Sequence, residues 1–186
     1  MSKTIGLIVG SLRKGSFTRA VAEQMVATLP AGYTVKNIEI GNLDLYNQDL
    51  DDEGGRAPQS WQDFRAAMKT VDAVVFATPE YNRSVPGVLK NALDVGSRPY
   101  GASVWDQKPA IILSVSPPGA ISGFGANHHL RQSLVFLNMP TIQQPELYIG
   151  NVTALLDDNL KIKNEGTLKF LAGAMETFTD FIERLS

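Results

Sequence analysis

The sequence predicts an α/β fold, a parallel sheet covered by helices on both faces. Apolar runs of strand length near residues 4–9, 33–39, 72–77, 109–115 and 141–149 alternate with helical patterns near 17–29, 59–70, 86–97 and 124–137 and a last one near 165–185. No internal repeat, low-complexity tract or linker interrupts that order, and 186 residues suit a single domain spanning 1–186 with a sizeable core. A glycine-containing turn, Gly10 to Thr18, joins the first strand to the first helix.

That turn carries the first functional signal. A strand, a tight turn and a helix start aim backbone N–H groups and the positive end of a helix dipole at an anion. Ser11, Ser16 and Thr18 add hydroxyl donors, and Arg13 adds a guanidinium that grips phosphate through two bonds. The alternative is local: Ser16 or Thr18 caps the helix and Gly15 serves the turn. Two better-known phosphate motifs do not fit. Ser16 stands where a nucleotide-hydrolase loop needs Lys, and Leu12 occupies the second glycine of the dinucleotide fingerprint. The cradle suits one terminal phosphate.

Further along, Pro30 is expected to close the first helix, because its ring cannot continue one. The segment 41–58 is acidic, with Asp44, Asp49, Asp51, Asp52 and Glu53. It lacks regular ligand spacing, so it reads as a solvated loop rather than a metal site. Ser84 is the expected cap of the third helix, with Pro86 in its first turn, and Pro109 starts the fourth strand. Leu168, Leu171, Ala172, Met175, Phe178 and Ile182 form one apolar face on the last helix.

Composition narrows the function. Hydrophobic residues make up 44%, as in globular proteins, and a net charge of -2 gives no general pull toward nucleic acid. No run approaches the roughly 18 to 20 apolar residues of a membrane span, and the N-terminal residues show no signal-peptide pattern. A cytoplasmic protein is expected. Cysteine is absent, which removes disulfides, thiol redox chemistry and thiolate metal sites. Electron transfer by this chain would need a bound cofactor.

In an open parallel sheet, ligands sit beyond the carboxyl ends of the strands. The loop after the third strand, Thr78 to Gly87, supplies Tyr81 as a flat face for a planar ring, and Asn82 with backbone groups for ring carbonyls and N–H groups. The loop after the fourth, Ser114 to Gly125, has glycines that let main chain approach a ring edge. The pair His128-His129 suggests a metal or a base, but adjacent helical side chains point about 100° apart. They read as surface or subunit-contact residues, with Glu146 as a possible neighbour.

Three stretches together resemble a known family: Gly10-Ser11-Leu12-Arg13-x-Gly15-Ser16-x-x-Arg19, then Pro79-Glu80-Tyr81-Asn82-x-Ser84-x-Pro86-Gly87-x-Leu89-Lys90-Asn91-Ala92, then His129-Leu130-Arg131-Gln132. They look like the NADPH-dependent FMN reductases, and in particular the bacterial branch described as quinone and chromate reductases. The resemblance covers nearly the whole chain. It implies a flavodoxin-like doubly wound sandwich with strand order 2-1-3-4-5, bound FMN, and homodimers or homotetramers. It places Ser11, Arg13, Ser16, Phe17 and Thr18 around the FMN phosphate, Pro79, Glu80, Tyr81 and Asn82 along the ring, and Ser116 with Gly119 on the other side. The sequence departs from the family at Thr18, where Asn is common, at Pro117-Pro118, and at Gly125 and His128, where relatives carry Arg and Tyr.

The implied activity is NAD(P)H:quinone oxidoreduction by two-electron ping-pong hydride transfer through FMN, with NADPH or NADH as donor and chromate, azo and nitro compounds as further acceptors. No catalytic side chain is required, because flavin N5 carries the hydride. Tyr81 and Arg83 are the pocket-shaping candidates, and backbone N–H groups of 79–82 or 116–120 are expected to stabilise charge on the ring. The alternatives are an NADPH:FMN reductase that releases reduced flavin, and a flavodoxin-like electron carrier without turnover.

Overall fold

Every side chain of β3 (Ala73–Thr78) and β4 (Ala110–Val115) is buried. In the computed structural model, which describes residues 2–51 and 56–186, they are central strands of a five-stranded sheet ordered β2-β1-β3-β4-β5. β1 (Lys3–Val9), β2 (Tyr33–Asn37) and β5 (Leu147–Ile149) complete it, and all pairs are parallel. This is the flavodoxin-like order implied by the resemblance.

The strand period of two divides the core. Ile5, Leu7, Val9, Val75, Ile111 and Leu113 meet α1 (Phe17–Val26) and α6 (Glu165–Arg184) on one face. Ile8, Val74, Phe76 and Ile112 meet α2 (Gln59–Lys69), α3 (Gly87–Gly96) and α4 (Phe124–Phe136) on the other. Trp61, Trp105 and Phe76 are fully buried there; each large apolar side chain contributes about 1.5–3 kcal/mol by leaving water. Four residues, Val152–Leu155, form the short α5 after β5.

Several boundaries differ from the sequence expectation. α1 ends at Val26 rather than 29, because Thr28 and Leu29 bond three residues back and tighten the chain out of the helix before Pro30. β5 is three residues rather than nine. Thr141 bridges Ala110, but Pro145 has no N–H to continue a ladder. Ser84 does not cap α3: Pro86 holds the N-cap position without a side-chain bond, and the Ser84 hydroxyl lies 2.6 Å from His129 Nδ1.

The acidic segment is more tied down than a solvated loop. Asp52 and Glu53 lie outside the described residues. Asp51, however, receives two bonds from the Arg65 guanidinium at 2.8 and 2.7 Å, while Arg65 Nε donates to Val95 O. Asp44 O accepts from Trp61 Nε1 and Asn91 Nδ2. Among the described residues no group of three or more His, Asp or Glu is placed to hold a metal.

The end of α3 sets up a conflict between propensity and packing. Ala is favoured over Gly in a helix by about 1 kcal/mol, but a Cβ on Gly96 would stand 2.5 Å from Trp105 Nε1. That buried indole is anchored by its bond to Leu93 O. Packing wins, so Gly96→Ala is expected to lower unfolding stability in urea by about 1–3 kcal/mol; a stabilised variant would contradict this.

Candidate active site

From β1 the chain crosses outward to β2 and then back to β3, so strand order reverses between β1 and β3. A crevice opens beyond the carboxyl ends at such a point. The Gly10–Thr18 turn enters it from β1. Gly10 N donates to Ala77 O at 2.8 Å, which keeps the turn in the plane of the sheet before it departs.

Ser16 caps α1, its Oγ accepting from Arg19 N at 3.1 Å. The capping expectation therefore holds for Ser16, while its own hydroxyl proton stays available. Ser11 and Thr18 are buried, and among the described residues their hydroxyls make no hydrogen bond to protein. Arg13 is exposed and lies 5.7 Å over the Phe17 ring. The Ser11 and Thr18 hydroxyls and the Arg13 guanidinium, which makes no ion pair among the described residues, converge at a helix start, a donor set suited to a phosphate dianion.

One cavity of about 220 Å³ is lined by Ser11, Arg13, Phe17, Thr18, Pro79, Glu80, Tyr81 and Ser116. The structure thus brings together eight of the eleven residues expected around the ligand. Ser16 faces a separate groove beside α1. Asn82 stands at an exposed tight turn with φ 52°, and Gly119 at an exposed turn with φ 80°. Val115, Pro117 and Val152 also line the cavity and were missed. Val152 follows the fifth strand, so the carboxyl-end rule applied to that strand as well would have found it.

Larger hollows lie elsewhere. One of about 490 Å³ runs between Arg98, Tyr100 and Phe136, and one of about 300 Å³ lies beside Lys14, Arg19 and Glu23. In the second, Arg19 is within 3.7 Å of both Glu23 and Glu39, so its charge is shared internally. Neither hollow combines free donors with an aromatic face at the strand ends, and chemistry rather than volume selects the smaller cavity.

The ring-side loops also show which backbone donors are free. Tyr81 N donates to Ser84 O, Ser84 N to Tyr81 O, and Ser116 N to Ile149 O. Pro117 and Pro118 have none. The broad expectation for 79–82 and 116–120 therefore narrows: among the described residues, the N–H groups of Glu80, Asn82, Gly119 and Ala120 make no backbone bond. These can meet ring carbonyls. Asn82 and Gly119 thus offer main chain even though they do not line the cavity.

The Glu80 carboxylate turns away toward α4, its Oε2 accepting from Ala126 N at 3.1 Å. The histidines are surface residues with separate partners. His129 meets Ser84, and His128 Nε2 lies 2.9 Å from Tyr148 OH and 3.7 Å from Glu146. Glu146 is indeed a neighbour, and Arg131 approaches it at 3.8 Å.

The family model for NADPH-dependent FMN reductase matches residues 4–154. The chain belongs to this family. Among curated relatives, a quinone reductase of Pseudomonas putida is 51% identical over 180 residues, covering 97% of this chain and 95% of that protein. A 2-hydroxy-1,4-benzoquinone reductase of a Burkholderia species is 38% identical, covering 98% and 97%. Among solved structures, FerB, a flavoenzyme NAD(P)H:(acceptor) oxidoreductase from Paracoccus denitrificans, superposes with a TM-score of 0.88 at 35% identity, covering 98% of each chain.

On β5, where Tyr148 packs beside α4, burial and then the hydrogen bond and charge of Glu146 push the Tyr148 phenol up to about 12, with Arg131 pulling the other way. A raised phenol favours the folded state below the unfolded value of about 10, and that contribution is lost as pH rises from about 10 to about 12. Tyr33 is likewise pushed up to about 12, by burial and by Glu183, so Tyr148→Phe is expected to shrink the tyrosinate absorbance step near pH 12 by one phenol and to remove its share of the matching loss of stability. An unchanged alkaline titration would exclude this assignment.

Proposed function

We propose that the protein is an FMN-dependent NAD(P)H:quinone oxidoreductase. The observation that carries the reading is the single cavity in which the Ser11–Thr18 cradle and the Pro79–Tyr81 and Ser116 walls meet. The donor set fits FMN: Ser11, Thr18 and Arg13 would hold its phosphate at the helix start that Ser16 caps, Tyr81 its ring face, and the free N–H groups of Glu80, Asn82, Gly119 and Ala120 the ring edges. Bound FMN supplies the two-electron chemistry between NAD(P)H and acceptor. The chain's own work is to bind and orient. Tyr81 lines the cavity and is exposed, and we assign to it and to the exposed Arg83 two residues on the shaping of what approaches. An open mouth of this kind selects weakly, so we extend the proposed range to azo and nitro compounds and to chromate.

An enzyme drawing on NAD(P)H works where that pool is, and we assign it to the cytoplasm. Among the described residues no helix is long and apolar enough to cross a membrane. We also propose a homodimer, able to pair into a homotetramer. Val135 and Phe136 of α4 and nearby Tyr100 are 77, 89 and 92% exposed, an apolar surface that association would bury. Sedimentation at micromolar concentration should give at least a dimer, shifted toward monomer by Val135→Ser with Phe136→Ser. A monomeric wild type would refute it.

The decisive test is purification without added flavin. A yellow protein that NADPH bleaches without oxygen, and that benzoquinone restores, is expected. A colourless protein that also fails to take up FMN would overturn the reading, and colour that NAD(P)H cannot bleach would turn it to an electron carrier. In the same titration Arg13→Ala should weaken FMN binding about 10- to 100-fold, as loss of a charge-assisted bond does.

A further inference from the structure

Glu80 lies in the loop expected to touch the flavin ring, yet its side chain does other work. The carboxylate is only 9% exposed. Its Oε2 accepts from Ala126 N, the third residue of α4, at 3.1 Å. Gly123, at the N-cap position, has no side chain to cap the helix. An acid from another loop fills that role, placing a negative charge against the positive end of the helix.

The fit is close. A Cβ on Gly125 would stand 2.8 Å from Arg83 O and 3.0 Å from Glu80 Oε2. Only a residue without a side chain lets the 79–83 turn lie flush on the first turn of α4. The Ser84 hydroxyl and His129 Nδ1 close the same seam at 2.6 Å. Because α4 continues directly from the 116–123 segment, the seam fixes one ring-side wall to the other.

We propose that Glu80 is a positioning residue of the flavin site: its carboxylate locks the two ring-side loops through α4 and masks the positive helix end, holding the midpoint potential of bound FMN down. This rests on the FMN reading above. Charge near a flavin ring tunes its electronics, and reduction adds negative charge. Neutralising the acid unmasks the helix end and favours the reduced cofactor. Arg83, 3.9 Å from Glu80 but 71% exposed, is screened by solvent and compensates little.

Two variants separate the charge from the cap. Glu80→Gln keeps an oxygen acceptor for Ala126 N and removes the charge. Glu80→Asp keeps the charge and shortens the reach. The potential of bound FMN is measured by equilibration with reference dyes, and apoprotein stability by thermal unfolding. In E80Q the reduced-to-oxidised affinity ratio for FMN should rise about tenfold, a potential increase of about 30 mV for a two-electron couple, with the melting temperature close to wild type. E80D should keep the wild-type potential and melt lower. A melting change without a potential change in E80Q makes Glu80 a cap only and overturns the proposal, as does a shifted potential in E80D. If E80Q does not fold, Glu80→Asn, also neutral, is measured against E80D in its place: a higher potential in E80N supports the proposal, and equal potentials overturn it. Wild-type protein that binds no FMN overturns the cofactor reading itself, and this inference with it.

Discussion

Burial of the central strands on both faces is the constraint from which the rest of the molecule follows. β3 and β4 present no side chain to water, so polar groups within them are confined to their last residues and satisfied at once. Thr78 donates to Pro79 O at 2.7 Å, and the Ser114 hydroxyl lies 3.0 Å from Ser122 O and 3.2 Å from Leu147 O. A strand that tolerates no unsatisfied donor cannot host recognition chemistry along its length. The chemistry is displaced to the carboxyl ends, where parallel strands deliver every loop to one edge.

Those loops have little core of their own. Ser11, Thr18 and Ser116 are buried, but Arg13, Tyr81, Asn82 and Pro117 are exposed. Their geometry is therefore set by a few polar contacts. Tyr81 and Ser84 exchange two backbone bonds, Ser116 bonds Ile149 O and Val152 N, and Glu80 reaches α4. Each of these bonds also removes a donor or acceptor from the ligand's reach. The arrangement that positions the walls thereby selects which N–H groups remain for a ring.

The alternation of apolar runs was enough to find the sheet and its helices, because strand burial and helix amphipathicity are written in local periodicity. The proposed phosphate cradle was legible as a candidate for the same reason: its donors are contiguous in sequence. Contacts between distant segments were not. Ser84 reads locally as a helix cap, but Pro86 sets the helix start and leaves its hydroxyl to His129. Asp51 reads as one charge among several, and only the fold brings it to Arg65. Glu80 reads as a ring contact by resemblance. Its partner lies 46 residues on, and the clue was the run of glycines at 119, 123 and 125, which signals close backbone approach without saying of what.

The chemistry of the cavity also bears on selectivity. A site built to hydrogen-bond a substrate rejects analogues that leave its buried polar groups unpaired, often by large factors. Here the buried donors, Ser11 and Thr18, lie at what we propose is the phosphate end, whereas Tyr81, at the proposed ring end, is 47% exposed. Glu80, the one carboxylate in the lining, is turned into α4. Discrimination is thus concentrated on the ligand that stays, and little is invested in what visits. On the proposed reading, a cavity with its hydrogen-bonding power at one end and an open aromatic face at the other is suited to retain one cofactor and to accept varied partners for it.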